Sequence, residues 1–325
     1  MSISRPPPRF GLILALALGV GGALALAVPR TEPAQAQAAG APRMRVAPSR
    51  LIAHEWGVWL VQQNRVTHLA DLAAESPSFV YRAPGAMGGN APVAPAPTPN
   101  VSRKPVIFLR SDRPMRVSVS VAFTGGEAWL YYPDAAVSAR DAVRPLGLTF
   151  SGQLGGSGNP LAPAPATSFW HDLRRAGGQV FTTDRGTSEQ FLFYDGPVRF
   201  ERSFEIVRDG TGARVSPISS ETHLWLIQNG RFVENTVQGT SATQVTANGD
   251  MAQLRVRLNA ELQARGLTGP EAHALLETWR DSLFNAPQGR AVYFVPRDAY
   301  DRMLPITISP SPSELVRVGL AIEDV

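Results

Sequence analysis

Hydrophobic and polar residues alternate with a period of two along much of the chain. Between Met115 and Phe123 every second residue is apolar, and the residues between them are Arg, Ser or Ala. Such a period directs alternate side chains to opposite faces of a β-strand, one buried and one facing water. Further runs of this kind are separated by dipeptides typical of tight hairpin turns, namely Asp195-Gly196, Asp209-Gly210 and Asn229-Gly230. The pattern therefore predicts many short antiparallel strands.

The period changes from two to a helical spacing after Gly249. Apolar residues recur every three or four positions between Met251 and Leu262, directly after Asp250, which can cap a helix. The segment Thr268-Gly269-Pro270-Glu271 has the spacing of a capping box and opens a second helical pattern. We therefore expect a helical hairpin. Strand patterns then return at Ala291 to Val295, Leu304 to Ile308 and Leu315 to Ile322.

Together these patterns predict a mainly β fold, in which an antiparallel β-sandwich-like body carries a small helical hairpin in its C-terminal half. Residues 45–248 are expected to form a β-rich domain, and residues 249–325 the helical hairpin followed by strands that pack on the body. Stretches rich in Pro, Gly and Ala interrupt the β-rich domain at residues 84–100 and 151–167. Because this composition cannot build a core, both are predicted to be mobile loops or linkers.

The N-terminus has the organisation of a secretory signal peptide. Arg5 and Arg9 precede an uncharged apolar run over residues 10–28, and Ala36-Gln37-Ala38 offers a cleavage site with small residues. We expect residues 1–38 to be a signal peptide and the protein to be exported to the periplasm or beyond the cell. The apolar run is also long enough to stay uncleaved as an inner-membrane anchor, and this alternative stays open.

Composition excludes several kinds of chemistry. The 325 residues include no cysteine, which rules out disulfides, thiolate metal sites and cysteine nucleophiles. The formal net charge is +4, but the basic residues are arginines apart from Lys104 and form no basic run, so no nucleic-acid partner is predicted. Neither a phosphate-binding loop nor a dinucleotide fingerprint occurs, and we expect no cofactor. No histidines fall at a recognisable ligand spacing, so no metal site is predicted, although distant histidines could converge.

The segment "AHEWGVWLV" at residues 53–61 contains the strongest candidates for catalysis, His54 and Glu55. It does not satisfy the zinc-protease pattern HExxH, because Val58 stands four residues after His54. If the segment is a strand, adjacent side chains point apart, so His54 and Glu55 cannot serve one site unless Gly57 marks a bulge. One interpretation makes His54 a hydrogen-bonded core or edge residue and pairs Glu55 with an arginine. In the other, His54 or Trp56 contacts a ligand.

Aromatic residues are the candidates for ligand binding. Trp56 shares a predicted strand face with His54, while Trp129 and Tyr131 lie together in the segment "WLYYP". Exposed, these rings would bind a sugar or a peptide, but they are equally suited to the core of a sandwich. The sequence leaves both interpretations open.

Several segments together resemble a bacterial family of exported proteins with a His-Glu-Trp-Gly-Thr signature. They are "AHEWGVW", "FVYR" at Phe79, "KPVIFLRSDRPMRVSVSVAF" from Lys104, "WLYYP" from Trp129, "EQFLFYDG" from Glu189, and Gly289 with the stretch "RAVYFVPRDAYDRMLPITISPSPSELVRV" that follows it. Val58 stands where the signature has threonine, which removes any hydroxyl role there while a β-branched residue keeps the strand. The resemblance implies export and a β-rich body, and it supplies no catalytic residues.

Two hypotheses about function follow. The first is an exported protein that acts as a non-catalytic binding or structural component of the cell envelope. The alternative is a secreted hydrolase or metal-dependent enzyme that uses His54 or Glu55. This enzyme hypothesis predicts a solvent-reachable pocket at one of these residues, with a second His, Asp or Glu within about 4 Å.

Overall fold

β-Strands make up most of the regular structure of the computed structural model. It describes residues 49–61, 73–84, 101–138, 147–209, 212–221, 223–237, 241–244, 249–285 and 289–325. The first strands are β1 Leu51–Val61, β2 Tyr81–Arg82, β3 Val101–Ser111, β4 Met115–Ala122, β5 Leu130–Tyr132, β6 Ala136–Val137, β7 Gly147–Leu154, β8 Phe181–Thr183, β9 Ser188–Glu189 and β10 Leu192–Pro197. They are followed by β11 Phe204–Asp209, β12 Gly212–Pro217, β13 His223–Gln228, β14 Arg231–Thr236, β15 Ser241–Gln244, β16 Gly249–Asp250, β17 Arg290–Val295, β18 Ile306–Ser309 and β19 Glu314–Asp324. The mainly β fold is therefore confirmed.

Short helices connect these strands, most of them in the C-terminal half. They are α1 Trp170–Arg175, α2 Met251–Ala264, α3 Gly269–Thr278, α4 Arg280–Phe284 and α5 Arg297–Met303. Asp250 caps α2 by accepting a hydrogen bond from the backbone N–H of Gln253, and Thr268 caps α3 in the same way. The helical hairpin is confirmed, with both of its expected starting points.

The strands form three sheets, and the largest positions the segment at residues 53–61. Its ten strands lie in the order β16-β14-β13-β17-β19-β1-β3-β10-β5-β2. Strand β1 pairs in parallel with β19 and antiparallel with β3. The other strand pairs of the described residues are antiparallel, as expected, so β1–β19 is an exception that joins the first and last described strands.

Both faces of the large sheet are covered. On one face Trp56 and Val58 pack in a core with leucines of the helices α2 and α3. On the other face Ala53 and Trp59 pack against apolar residues of the six-stranded sheet, which is ordered β18-β4-β7-β8-β9 with β6 beside β7, and of the three-stranded sheet β11-β12-β15. Burial on both faces explains why β1 is apolar nearly throughout instead of half polar.

The expected domain boundary near residue 248 is wrong. Strands β17 and β19, which belong to residues 249–325, lie in the middle of the large sheet, and β13 joins that sheet through β17. Residues 249–325 are therefore part of the central layer and do not pack on a finished body. Pro48–Val325 forms one compact unit.

The second Gly- and Pro-rich stretch, at residues 151–167, is also not a linker. Its first four residues belong to β7, and glycine there permits close approach, since a Cβ on Gly152 would lie 2.1 Å from the carbonyl oxygen of Thr182. Further along, Ala162 packs against the helix-side core and accepts a hydrogen bond from Arg174 at 2.7 Å. For the first stretch, residues 85–100 lie outside the described residues.

The predicted signal peptide at residues 1–38, with its apolar run at 10–28, also lies outside the described residues. Within the part of the chain that the structure describes, no helix combines the length and apolar character needed to cross a bilayer.

Candidate functional site

Strand β1 directs His54 and Glu55 to opposite faces of the large sheet, as the alternation predicts. The strand pairing shifts between Trp56 and Val58, but the extra residue lies in β3, so the alternation within β1 is maintained. Both side chains are buried: His54 is 5% exposed and Glu55 is 0% exposed. The two candidates therefore belong to two separate clusters.

Glu55 lies in the cluster on the face away from α2 and α3. In the parallel pair of strands it stands beside Arg317, whose Nε donates a hydrogen bond to its carboxylate, and the hydroxyl of Tyr194 donates another. Arg317 also donates to Asp301 at 2.5 Å and to the carbonyl oxygen of Leu304 at 2.8 Å. The arginine partner expected for Glu55 is thus confirmed, and both carboxylate oxygens of Glu55 are occupied.

The protonation of this cluster follows from its burial. Burial raises the pKa of the Tyr194 hydroxyl well above its usual value, and the adjacent Glu55 carboxylate raises it further. The same two causes raise the pKa of Tyr300. Burial alone would lower the pKa of Arg317, but the Glu55 carboxylate raises that pKa overall. The tyrosines therefore stay neutral and Arg317 stays charged. Arg317 and Glu55 thus form a structural ion pair.

Two glycines make room for the aromatic rings around this cluster. Gly57 faces Gly319 across the parallel pair of strands. A Cβ on Gly57 would lie 3.1 Å from the hydroxyl of Tyr300, and a Cβ on Gly319 would lie 2.5 Å from the ring of Trp59. The Trp59 and Tyr300 rings meet edge to face, with centroids 4.7 Å apart. The glycine of the segment is therefore explained by packing, because a side chain there would crowd Tyr300 of α5 and Pro105 of β3.

His54 lies in the second cluster, at the start of α3. Its Nδ1 atom lies 2.9 Å from Glu271, which also closes the capping box by accepting from the backbone N–H of Thr268. An ion pair of 2.8 Å joins Glu271 to Arg110, and the Nε2 atom of His54 lies 3.5 Å from Glu314. Burial would raise the pKa of Glu271, but the hydrogen bonds from His54 and Thr268 and the charge of Arg110 lower it overall. His54 thus fastens β1 to α3.

The aromatic candidates are buried as well. Trp56 is fully enclosed in the helix-side core. Trp129 is nearly buried, and its indole N–H donates to Glu127 at 2.9 Å. Tyr131 is nearly buried too, but it stacks on Tyr81, which is exposed. Trp56 and Trp129 are therefore core residues, whereas Tyr131 adjoins the surface.

A surface cavity of about 440 Å³ lies apart from both candidates. Its lining residues are Ser220, Glu221, Pro296, Arg297, Asp298 and Asp301. Asp301 links it to the Glu55 cluster, because its carboxylate contacts both Arg317 and Arg297. No sequence motif singled out these residues, since they come together from separate segments. The described residues contain no group of three or more His, Asp or Glu arranged to hold a metal ion.

Comparison with known proteins adds little. No protein-family model and no curated protein sequence matches this chain. Among solved structures it is weakly similar to the Fcho1 Mu homology domain of Danio rerio with bound Eps15 peptide. The TM-score is 0.28 at 8% sequence identity, over 85% of this chain and 97% of that chain. A score this low supports neither a shared fold nor a shared function, so the residues themselves are the basis for assigning one.

Proposed function

We propose that this protein is an exported, non-catalytic component of the cell envelope, acting by binding or as a structural element. The proposal of export rests on the charged and apolar pattern of residues 1–38 and on the resemblance to exported proteins. The proposal that it does not catalyse a reaction rests mainly on one observation. Glu55 is fully buried, with one carboxylate oxygen bound by Arg317 and the other by Tyr194.

A catalytic acid or base has to reach its substrate and exchange a proton with it. Glu55 has no free oxygen for this purpose, because Arg317 and Tyr194 each donate a hydrogen bond to one of its two carboxylate oxygens. His54 is committed to Glu271 and lies beneath the start of α3. The surroundings of both residues therefore suit a role in joining secondary-structure elements.

The alternative, a hydrolase or metal-dependent enzyme using His54 or Glu55, requires a cleft that reaches one of them. Neither residue lines the cavity at Asp301, and the two side chains lie on opposite faces of the sheet. Two carboxylates lie within reach of His54. Glu271, at 2.9 Å, is fully buried, whereas Glu314, at 3.5 Å, is partly exposed. The second carboxylate that the alternative requires is thus present, but neither His54 nor Glu314 lines the cavity at Asp301.

Catalysis is tested by assaying the purified protein on panels of ester, glycoside, phosphate and peptide substrates, with and without added Zn²⁺ or Mn²⁺. We expect no turnover above that of the heat-denatured protein. Turnover that is lost in His54→Gln or Glu55→Gln, in variants that still unfold cooperatively, would overturn the proposal.

Export is tested by expressing the full chain with a C-terminal tag, fractionating the cells and measuring the mass of the product. We expect the protein outside the cytoplasm, cleaved near Ala38 or anchored through residues 10–28. A soluble cytoplasmic product of full length would contradict this part of the proposal.

The packing role of the segment at residues 53–61 is tested by Trp56→Ala. Because Trp56 is fully enclosed, its truncation should destabilise the fold by about 3–5 kcal/mol in urea unfolding. Near-unchanged stability would show that Trp56 is not a core residue and would reopen its role in ligand recognition.

A further inference from the structure

One surface patch contains the partly exposed ring of Tyr81, which packs on buried aromatic residues. Tyr81 belongs to β2, which lies at the end of the large sheet, and it is 39% exposed. The other exposed large hydrophobic side chains of the described residues are aliphatic, namely Val207, Ile218 and Val256. Tyrosine is enriched at recognition surfaces, because its ring supplies apolar contact area and its hydroxyl group can hydrogen-bond.

The Tyr81 ring is held by two buried tyrosines. It stacks on Tyr131 with ring centroids 5.5 Å apart and 23° between the planes, and on Tyr132 at 6.0 Å and 18°. Tyr132 in turn packs on Phe79 at 4.7 Å. The ring planes are nearly parallel, so the two buried tyrosines hold the Tyr81 ring in place. A ligand that stacks on this ring therefore does not have to immobilise a flexible side chain, which would reduce the free energy of binding.

Two charged groups follow from the same segment, because Asp134 stands two residues after Tyr132 and lies 4.0 Å from Arg185. Asp134 accepts a hydrogen bond from the hydroxyl of Thr183 at 2.5 Å, and its second oxygen lies 4.0 Å from Nε of Arg185, whose side chain is 77% exposed. Burial raises the pKa of Tyr131. The charge of Arg185 lowers that pKa, whereas Tyr81 and Asp134 raise it. Asp134 is nearly buried, at 8% exposed, so Arg185 is the exposed charge of this group. We call Tyr81, Tyr131, Asp134 and Arg185 the tyrosine ledge.

We propose that the tyrosine ledge binds neutral oligosaccharide segments of envelope polysaccharide. The partly exposed Tyr81 ring offers an apolar surface for a sugar ring, and the exposed Arg185 guanidinium supplies donors for its hydroxyl groups. This inference rests on the proposed function, since it names the ligand class of an exported binding protein.

Two other ligand classes fit the ledge less well. A cationic group is best held in a box of rings at large angles to one another, whereas these planes differ by 23° or less, and Arg185 would repel the charge. A peptide that adds a strand needs a long sheet edge for its main-chain hydrogen bonds, whereas β2 has two residues. A supported tyrosine ring together with an exposed arginine suits a sugar.

The test is calorimetric titration of the mature protein with chitotetraose, cellotetraose and maltotetraose. We expect at least one to bind, and Tyr81→Ala to weaken that binding by about tenfold or more, since stacking is lost. Tyr81→Phe keeps the ring and should keep most of the affinity. Ile218→Ala removes an exposed side chain outside the ledge and serves as the matched control.

Arg185→Ala provides an independent variant that should not disturb folding, because the side chain is mostly exposed. We expect it to weaken binding while leaving the thermal midpoint unchanged. The proposal is overturned if none of the three sugars binds at about 10 mM, a level at which even weak sites fill, or if Tyr81→Ala and Arg185→Ala both bind like the wild type. A bound sugar that is cleaved would instead refute the non-catalytic function and leave the ledge as its site.

Discussion

At the scale of single residues, Glu55 and Arg317 meet because they stand side by side in two neighbouring parallel strands. Both side chains are fully buried, so each has lost its hydration, a cost of several kcal/mol for each charge. Their attraction and the hydrogen bond from Tyr194 offset that cost. Loss of one partner is therefore more harmful than loss of both.

Glu55→Ala should destabilise the protein by about 3–5 kcal/mol, since it leaves Arg317 charged and without its central partner. The double variant Glu55→Leu with Arg317→Met should recover much of that loss. Urea unfolding measures both. The exposed ion pair between Arg116 and Asp184 is the control, and Asp184→Ala should change the stability far less than Glu55→Ala, because solvent screens the exposed pair. Equal effects of Asp184→Ala and Glu55→Ala would contradict the role given to burial.

The close packing of Gly319 is the basis of a second prediction at the residue scale. A Cβ there would lie 2.5 Å from Trp59 and 3.0 Å from Cβ of Val295, so Gly319→Ala should destabilise the fold by about 1–3 kcal/mol. Gly269→Ala is the matched control, because the nearest atom to its Cβ would be 3.6 Å away, in the flexible Gln263 side chain. Thermal unfolding distinguishes the two, and a Gly319→Ala protein as stable as the wild type would show that Trp59 can move aside.

At the scale of elements, the start of α3 is fastened to the sheet by one carboxylate with two functions. Glu271 completes the capping box with Thr268 and also binds His54 of β1. Arg110 of β3 adds an ion pair from a second strand. The helix is therefore positioned by its first turn, while its leucines fill the core between it and the sheet.

This geometry predicts how stability depends on pH. The pKa of Glu271 is lowered in the folded state, so the folded protein binds a proton at this carboxylate more weakly than the unfolded chain does. The stabilisation is present above the unfolded pKa of about 4.3 and is lost as the pH falls through the lower, folded pKa. Glu271→Gln should therefore be less stable than the wild type at pH 7, and the two should converge at acidic pH.

Urea unfolding of wild type and Glu271→Gln from neutral to acidic pH measures this convergence. Glu261→Gln, on the exposed side of α2, should differ little from the wild type throughout. A gap between wild type and Glu271→Gln that stays constant on acidification would contradict a pKa-linked contribution.

At the scale of the whole molecule, the two ends of the described chain meet in the centre of the large sheet. Strand β19 lies between β1 and β17, and with β17 it connects the strands β13 and β14 to the rest. The pairing of β1 with β19 joins residues separated by 262 positions, as in Glu55 and Arg317, so it carries the largest loop-closure entropy of the described strand pairs. Once formed, it locks both halves into one unit.

Deletion of residues 314–325 should therefore prevent folding, because it opens the large sheet in its middle. Deletion of residues 1–38 should leave the unit Pro48–Val325 folded. Circular dichroism melts and limited proteolysis of both truncated chains test this. A cooperative melt of the chain without β19 would show that the sheet can close without its last strand.

Local patterns along the chain were sufficient for several of its elements, although they predicted neither α1 nor α5. The period of two predicted β4, the capping signals at Asp250 and Thr268 predicted α2 and α3, and alternation separated His54 from Glu55. These properties depend on residues a few positions apart, whose spacing decides which side chains share a face. The lack of cysteine equally needed no structure.

Contacts across the chain decided the rest. Glu55 finds Arg317 at a separation of 262 residues, and His54 finds Glu271 at a separation of 217. Strand order, burial of both faces of β1 and the place of Tyr81 beside Tyr131 depend equally on such pairings. Periodicity shows that a strand has two faces, but only the packing of the layers determines what covers each face. Hydrophobic burial is non-directional, so the apolar pattern of a strand does not specify which distant segment will cover it.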